Sequence, residues 1–190
     1  MRTIKVIIIF CFIFLYNQIL FSKEIRTLVQ INNSVITNFD LEKEVNLKKK
    51  TENIDYNNKE AINILNQLIN EKIQFLEVEK NNIIISKETL SIRLNEVLKK
   101  NNTFKNNKEI KSYIKSKIEL NLKWNKLINL KYGSQLQVNM KEINEIITTQ
   151  NLDERDKDIL IEKEKNKKLN IYSKLFLNEL KKNYLIKKSI

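Results

Sequence analysis

The side chains that most often carry acid–base or nucleophilic chemistry are scarce in this sequence. Its 190 residues include no His and a single Cys, Cys11. The lack of His excludes Ser-His and Cys-His nucleophiles, His general bases and most zinc sites. A single Cys cannot form a disulfide within the chain. We therefore expect a protein without catalytic residues, bound metal or cofactor, whose function depends on binding.

Glycine and proline are equally scarce, which restricts the fold. Gly occurs once, at Gly133, and Pro does not occur. An all-β fold needs many tight turns, and a nucleotide-binding loop needs several glycines. The composition argues against both and favours a mainly α-helical chain that is long enough for one domain with a sizeable core.

The chain is strongly basic, with a formal net charge of +12. Nucleic acid or an anionic membrane are the partners that such a charge suggests. However, Arg occurs only at positions 2, 26, 93 and 155, and recognition of phosphates and bases favours the Arg fork. Lys, Asn and Ile, which AT-rich codons encode, are abundant together. We favour a compositional origin of the charge and keep a Lys-rich binder of anionic membrane or nucleic acid as the alternative.

Residues 1–22 have the three parts of a secretory signal peptide. Arg2 and Lys5 form a positive start, residues 6–16 are an apolar run, and Ser22 is a small residue suited to cleavage before Lys23. We therefore expect export from the cytoplasm. A retained membrane anchor is the alternative, but the apolar run is short for a membrane-spanning helix.

Strand signals lie near both ends of the exported part. Residues 27–31 and 34–36 are separated by Asn32-Asn33, and Asn tolerates the positive φ that a short hairpin turn needs. Tyr184-Leu185-Ile186 is a second strand candidate. We expect this late strand to join the early hairpin.

The stretch 59–81 is predicted to be the helix on which the others pack. Asn57 is a suitable N-cap and Glu60, three residues later, completes a capping box. The polar residues of the helix form one narrow stripe, so its apolar residues should be covered from two sides. Those apolar residues are Ile62, Leu65, Ile69, Ile73 and Leu76 on one side and Ile64, Leu68, Phe75 and Val78 on the other.

Caps and apolar stripes predict the remaining helices. Three helices should begin after the caps Thr37, Ser86 and Asn139, and a fourth should span 108–132. The last helix should run to about Asn183, and it carries the stripe Leu169, Tyr172, Phe176 and Leu180. Gly133 should stand in the left-handed conformation that ends a helix. We also expect 83–85 and 136–138 to pair as a two-stranded bridge, 151–158 to be a charged connection, and the charged stretch 162–168 to be solvated.

The order of these motifs resembles a known family. A hairpin ends in NNSVITNFDL at 32–41. It is followed by LNQLINEKI at 65–73, IIISKETL at 83–90, WNKLINLKYGSQLQVNMKEI at 124–143 and YSKLFLNELKKNYLI at 172–186. This order is similar to that of the N-terminal domain of the SurA family, periplasmic chaperones of outer-membrane proteins in Gram-negative bacteria. The resemblance spans nearly all of the chain after the signal peptide.

The resemblance implies a mainly α, multi-helix domain with a small β-hairpin that a C-terminal strand joins. Residues 23–150 would form the chaperone domain, and residues 151–190 would complete it. SurA proteins usually carry parvulin-type prolyl isomerase domains, which need Gly-rich turns and His, before the C-terminal helix. Here only residues 148–161 separate the corresponding parts. The resemblance therefore implies a chaperone without isomerase catalysis.

As a function, we expect a periplasmic holdase that binds unfolded outer-membrane proteins or other extended peptides in an apolar groove. Nucleic acid is not expected as a partner, and peripheral association with a membrane is a second option. Packing in the core is the favoured alternative for each candidate groove aromatic except Phe104, a lone loop residue for which the two interpretations are equal. The candidates are Phe104, Tyr113, Trp124, Tyr172 and Phe176.

Overall fold

A computed structural model shows a mainly helical protein with a small antiparallel sheet. The predicted signal peptide, residues 1–22, lies outside the described residues. The structure describes residues 24–52, 57–100, 104, 106–150 and 153–189.

The described helices and strands follow one another as β1 (Thr27–Ile31), β2 (Ser34–Thr37), α1 (Asn38–Glu52), α2 (Asn58–Lys80), α3 (Lys87–Lys100), α4 (Lys108–Tyr132), α5 (Met140–Gln150), α6 (Glu154–Asn183) and β3 (Ile186–Lys188). The mainly α fold class with a small hairpin is confirmed.

The sheet joins the early hairpin to the last strand. Its order is β2-β1-β3, and both pairings are antiparallel. Asn32 adopts the positive φ of 49° that the turn requires. The predicted late strand forms but begins at Ile186, because the backbone before it bonds to the hairpin turn: the Leu185 amide donates to Asn32 Oδ1 at 2.9 Å and the Asn32 amide to the Leu185 carbonyl at 3.0 Å.

Helix α2 is the central helix, as predicted. Asn57 caps it, with its Oδ1 accepting from the Lys59 and Glu60 amides at 2.9 and 3.1 Å, and Glu60 closes the capping box. α1, α4, α6 and β1 pack on α2, and its residues Ile64, Leu65, Ile69, Ile73 and Val78 are buried. The covering is incomplete: α3 packs mainly on α4 and α5 on α6, which leaves Ile62 and Phe75 exposed at the surface.

Two predicted backbone features are wrong. Gly133 has φ −52° and ψ −40°, which is right-handed, so it does not provide a left-handed cap. The stretches 83–85 and 136–138 contain no strand and form no bridge. Lysine side chains satisfy their carbonyls instead: Lys126 donates to the Ile84 carbonyl at 2.8 Å, and Lys168 donates to that of Gln137.

The last helix begins earlier than predicted, inside the expected connection 151–158. Asp153 caps α6 by accepting from the Arg155 and Asp156 amides at 2.8 and 3.0 Å. In turn, the Asp153 amide donates to Asp156 Oδ2 at 3.1 Å, which closes a capping box. The charged stretch 162–168 is mostly exposed, as expected, and continues the same helix.

Candidate peptide-binding groove

Three of the five candidate aromatic residues lie together between α4 and α6. The Trp124 and Phe176 rings stack with centroids 5.6 Å apart, and the Trp124 Nε1–H donates to Ser173 Oγ at 2.7 Å. Trp124 and Phe176 are 2 % and 4 % exposed, and half-buried Tyr172 packs beside them. The structure therefore places these three residues in the core, where Trp124 and Phe176 present almost no surface to a ligand.

Tyr132, which the sequence analysis did not single out, completes this cluster. Its ring stacks on Tyr172 at 5.0 Å and meets Phe176 edge-on at 6.0 Å. Burial raises the pKa of Tyr132, and the nearby Glu179 charge adds to the effect. The spacing of Trp124, Ile128 and Tyr132 by four residues was the signal that could have revealed it.

The other two candidates, Phe104 and Tyr113, lie in a different region. Both are half-buried, and both line a cavity of about 520 Å³ bounded by α1, α2, α3 and α4. Phe104 reaches this cavity from the segment between α3 and α4, and Tyr113 from the first half of α4. The structure thus brings the lone loop aromatic onto an apolar wall, together with Val97, Ile114, Ile118 and Leu122.

Two further cavities extend this wall towards the sheet. The first, of about 290 Å³, shares Glu71, Lys117 and Leu120 with the Phe104 cavity. The second, of about 310 Å³, shares Glu71 and Phe75 with the first and is also lined by Val35, Ile36 and Leu68. Because neighbouring cavities share lining residues, they adjoin one another, and we treat the three together as one elongated surface, the α2–α4 groove.

A cluster of charged and polar residues lies at the floor of the groove. Lys117 Nζ is 2.9 Å from Glu44 Oε1 and also contacts the Glu71 carboxylate. The Tyr113 hydroxyl donates to Glu44 Oε1 at 2.7 Å, and Gln67 Nε2 donates to Glu71 Oε1 at 2.9 Å. Glu44 is only 5 % exposed, so the Lys117 ammonium compensates a carboxylate that is largely removed from water.

The charged residues among the described lining of the groove are mixed but basic on balance. Five cations and three anions leave a net charge of +2. They are Lys48, Lys72, Arg93, Lys117 and Lys123 against Asp40, Glu71 and Glu119. Sequence analysis did not find this lining, since its members come from four helices and β2 and share no motif.

Two searches of the described residues concern other kinds of site. They contain no group of three or more His, Cys, Asp or Glu side chains that could hold a metal ion. None of the helices in the described part of the chain combines the length and apolarity needed to cross a bilayer.

The chain was also compared with known proteins. No model of a known protein family matches it, and no curated protein matches it significantly.

Proposed function

We propose that this protein is a periplasmic chaperone of the holdase type that binds extended segments of unfolded outer-membrane proteins, without isomerase catalysis. The observation that carries the proposal is the α2–α4 groove. It is elongated, it is lined by apolar and aromatic side chains, and it is open to solvent. Such a surface suits an extended chain better than a compact small molecule, which requires an enclosing pocket.

Exposed apolar residues at one end of the groove support this use. Phe75 is 46 % exposed and Val35 is 47 % exposed, and both line the cavity next to β2. Exposed apolar residues that gather around a depression mark a binding surface more often than scattered ones do. A client segment would cover these side chains and place its own apolar residues against Leu68 and Leu120.

The polar residues of the groove fit weak and broad recognition. Gln67 and Gln74 lie in the lining, where their amide groups can bond to the main chain of a client, whatever its sequence. The net positive charge of the lining would steer acidic client segments towards the groove. Recognition through main-chain bonds and apolar contacts accepts many sequences, which is what a holdase requires.

The location and the class of client rest on the sequence. The signal-peptide pattern of residues 1–22 supports the periplasm, and the motif order resembling the SurA family supports outer-membrane proteins as clients. The lack of His, with only residues 148–161 between Ile147 and Glu162, supports the absence of an isomerase domain. Prolyl-peptide isomerisation above the uncatalysed rate would falsify this last part.

The test is the suppression of aggregation by groove variants. A denatured outer-membrane β-barrel protein is diluted into buffer, and light scattering is recorded with increasing amounts of wild type, Phe75→Ser or Ile62→Ser. Ile62 is the matched control because it lies on the same helix, is 60 % exposed and lines none of the three cavities. Both substitutions remove an exposed apolar side chain and should leave the fold intact.

Wild type should suppress scattering at near-equimolar ratio, with little change in moderate salt. Phe75→Ser should require about fivefold more protein for half-suppression, a loss of about 1 kcal/mol of binding free energy, and Ile62→Ser should behave as wild type. Absence of suppression by wild type would refute the holdase function. Equal activity of all three proteins would refute the groove as its site.

A further inference from the structure

The outward side of α6 carries lysines and exposed aliphatic residues together. The helix docks on the core through Leu169, Phe176 and Leu180. At 100° per residue, the opposite side of the helix is a strip about 120° wide. Between positions 167 and 182 the strip contains Asn178 and six further residues, Lys167, Ile171, Lys174, Leu175, Lys181 and Lys182, and we call these six the outer face of α6.

The two aliphatic residues of the outer face are well exposed. Ile171 is 47 % and Leu175 is 57 % exposed, and they lie one turn apart, with Lys167 one turn before Ile171 and Lys174 next to Leu175. Lys167, Lys174 and Lys182 are exposed as well. Two exposed aliphatic side chains among lysines are complementary to a partner with an apolar layer behind an anionic one.

Positive charge is concentrated at this end of the chain. Residues 162–189 contain nine Lys and three Glu, a net charge of +6. Residues 23–190 carry 33 cations and 23 anions, a net charge of +10. Residues 162–189 are therefore one sixth of the length of 23–190 but carry more than half of its net charge. Of the three Glu, Glu164 lies 3.4 Å from Lys167 and Glu179 lies near Tyr132.

We propose that the outer face of α6 binds an anionic lipid surface, with the helix lying parallel to it. Each Lys near an anionic bilayer strengthens binding about fivefold, and Ile171 and Leu175 would enter the boundary between headgroups and acyl chains. The lysine stems can lie along that boundary while their ammonium groups reach the phosphates. None of the six residues lines the α2–α4 groove, so the attached protein would keep its groove accessible.

A lipid surface fits the outer face better than nucleic acid does. The face contains no Arg, which dominates specific phosphate and base recognition. A nucleic acid backbone would leave Ile171 and Leu175 without an apolar partner, whereas a bilayer supplies one. Both partners would respond to salt, so the aliphatic residues, rather than the salt dependence, distinguish them.

The charge test compares two pairs of lysines. The assay uses the chain from Lys23 onward. This chain contains every helix and strand from β1 to β3 and lacks the apolar run 6–16, which could itself bind lipid. Binding is measured by flotation with vesicles of equal parts phosphatidylglycerol and phosphatidylcholine, and with vesicles of phosphatidylcholine alone. Lys174→Gln/Lys182→Gln is compared with Lys111→Gln/Lys115→Gln, a pair of exposed lysines on α4 with the same change in net charge. Circular dichroism verifies that each variant is folded.

Wild type should bind the anionic vesicles and not the neutral ones. The α6 pair should lower the partition coefficient about tenfold or more, and the α4 pair by less than about twofold, since its charges would act only at a distance. An equal loss in both pairs would mean general attraction of a polycation and would overturn the proposal. Unimpaired binding by the α6 pair would overturn it as well.

A labelling test examines the aliphatic residues. The chain from Lys23 onward has no Cys, so Leu175→Cys or Ile62→Cys can carry an environment-sensitive dye at one position. Anionic vesicles should blue-shift the emission of the dye at 175 and leave that at 62, on α2, unchanged. If the dye at 175 does not shift when the protein is bound, or if duplex DNA shifts it as vesicles do, the lipid assignment is wrong.

Discussion

At the scale of single residues, the pairing of Glu44 with Lys117 is the feature that most depends on the folded structure. Glu44 belongs to α1, whose apolar stripe is thin, and sequence alone suggests that a charged residue there is solvated. In the structure it is buried, because α1 packs on α2 and α4. The carboxylate is tolerated there since Tyr113 and Lys117 both bond to it.

Replacing Lys117 by Met should therefore destabilise the protein. Met preserves most of the side-chain volume but leaves Glu44 without its compensating charge. Removal of one partner of a buried ion pair costs about 3–5 kcal/mol; because the Lys117 side chain is 27 % exposed, we expect about 2–3 kcal/mol. Urea denaturation followed by circular dichroism measures this loss of unfolding free energy.

The matched control is Lys115→Met, which removes an exposed lysine from the same helix. Its effect should stay within about 0.5 kcal/mol. Glu44→Gln combined with Lys117→Met should recover part of the lost stability, since the uncompensated charge is gone. If Lys117→Met costs no more than Lys115→Met, the buried pair does not stabilise the fold.

The candidate aromatics show how far sequence reasoning reaches at this scale. The spacing of Trp124 and Phe176 predicts that each lies on an apolar helix face, and both do. Spacing does not show which other helix covers that face, and therefore could not separate a groove from a core. Phe104 had no helical stripe to belong to, yet it lines the groove together with Tyr113.

At the scale of helices and strands, local hydrogen bonding was predictable, whereas long-range packing was predicted only in part. The Thr37 cap, the Asn57 capping box and the Ser86 cap all form as predicted, because each joins residues within one turn. The predicted bridge between 83–85 and 136–138 does not form, and Lys126 of α4 and Lys168 of α6 bond to carbonyls of these stretches instead.

Gly133 illustrates the same limit and leads to a prediction. Its backbone is right-handed, so an alanine could adopt this conformation without strain. Alanine would also lower the conformational entropy of the unfolded chain, which stabilises the folded protein by about 0.4–1 kcal/mol. However, a Cβ at this position would lie 2.8 Å from the carbonyl oxygen of Asn129. A backbone oxygen cannot move away cheaply, and such overpacking costs about 1–3 kcal/mol.

We therefore expect Gly133→Ala to lower the free energy of unfolding by about 1 kcal/mol or more, measured by urea denaturation. Ser134→Ala, the adjacent exposed position, is the control and should change it by less than about 0.5 kcal/mol. A stabilised Gly133→Ala protein would show that α4 adjusts at its end and that the only glycine is not required there.

At the scale of the whole molecule, the fold closes on itself. β3 pairs with β1, and α6 packs on both α2 and α4. Tyr184, between α6 and β3, ties this closure to the central helix: its hydroxyl donates to Glu77 Oε2 at 3.2 Å, and Glu77 is 6 % exposed. The strand candidate at 184–186 was visible in the sequence, but the bond to Glu77, 107 residues away, was not.

This tie makes the stability of the whole fold depend on pH in the alkaline range. Burial, together with the Glu77 charge and hydrogen bond, raises the pKa of Tyr184 from 10.0 to about 12. The folded protein therefore holds the phenolic proton more tightly than the unfolded chain does. This stabilisation is fully present below pH 10 and is lost as the pH rises towards 12. Two pKa units set a ceiling of about 2.7 kcal/mol on the loss, which solvent at the partly exposed ring reduces.

Tyr184→Phe separates this contribution from the titration of the many lysines. At pH 8 the variant should be less stable than wild type by about 1 kcal/mol, because Glu77 loses a hydrogen bond. As the pH rises from 10 to 12, wild type alone must ionise Tyr184 against Glu77, so the difference in unfolding free energy should shrink and approach zero. Glu77→Gln keeps an acceptor for the hydroxyl but removes the charge, and should flatten the pH dependence relative to wild type. If the difference in unfolding free energy between wild type and Tyr184→Phe stays constant from pH 8 to pH 12, residue 184 does not sense Glu77. In that case the sheet pairing and the packing of α6 alone hold the C-terminal segment in place.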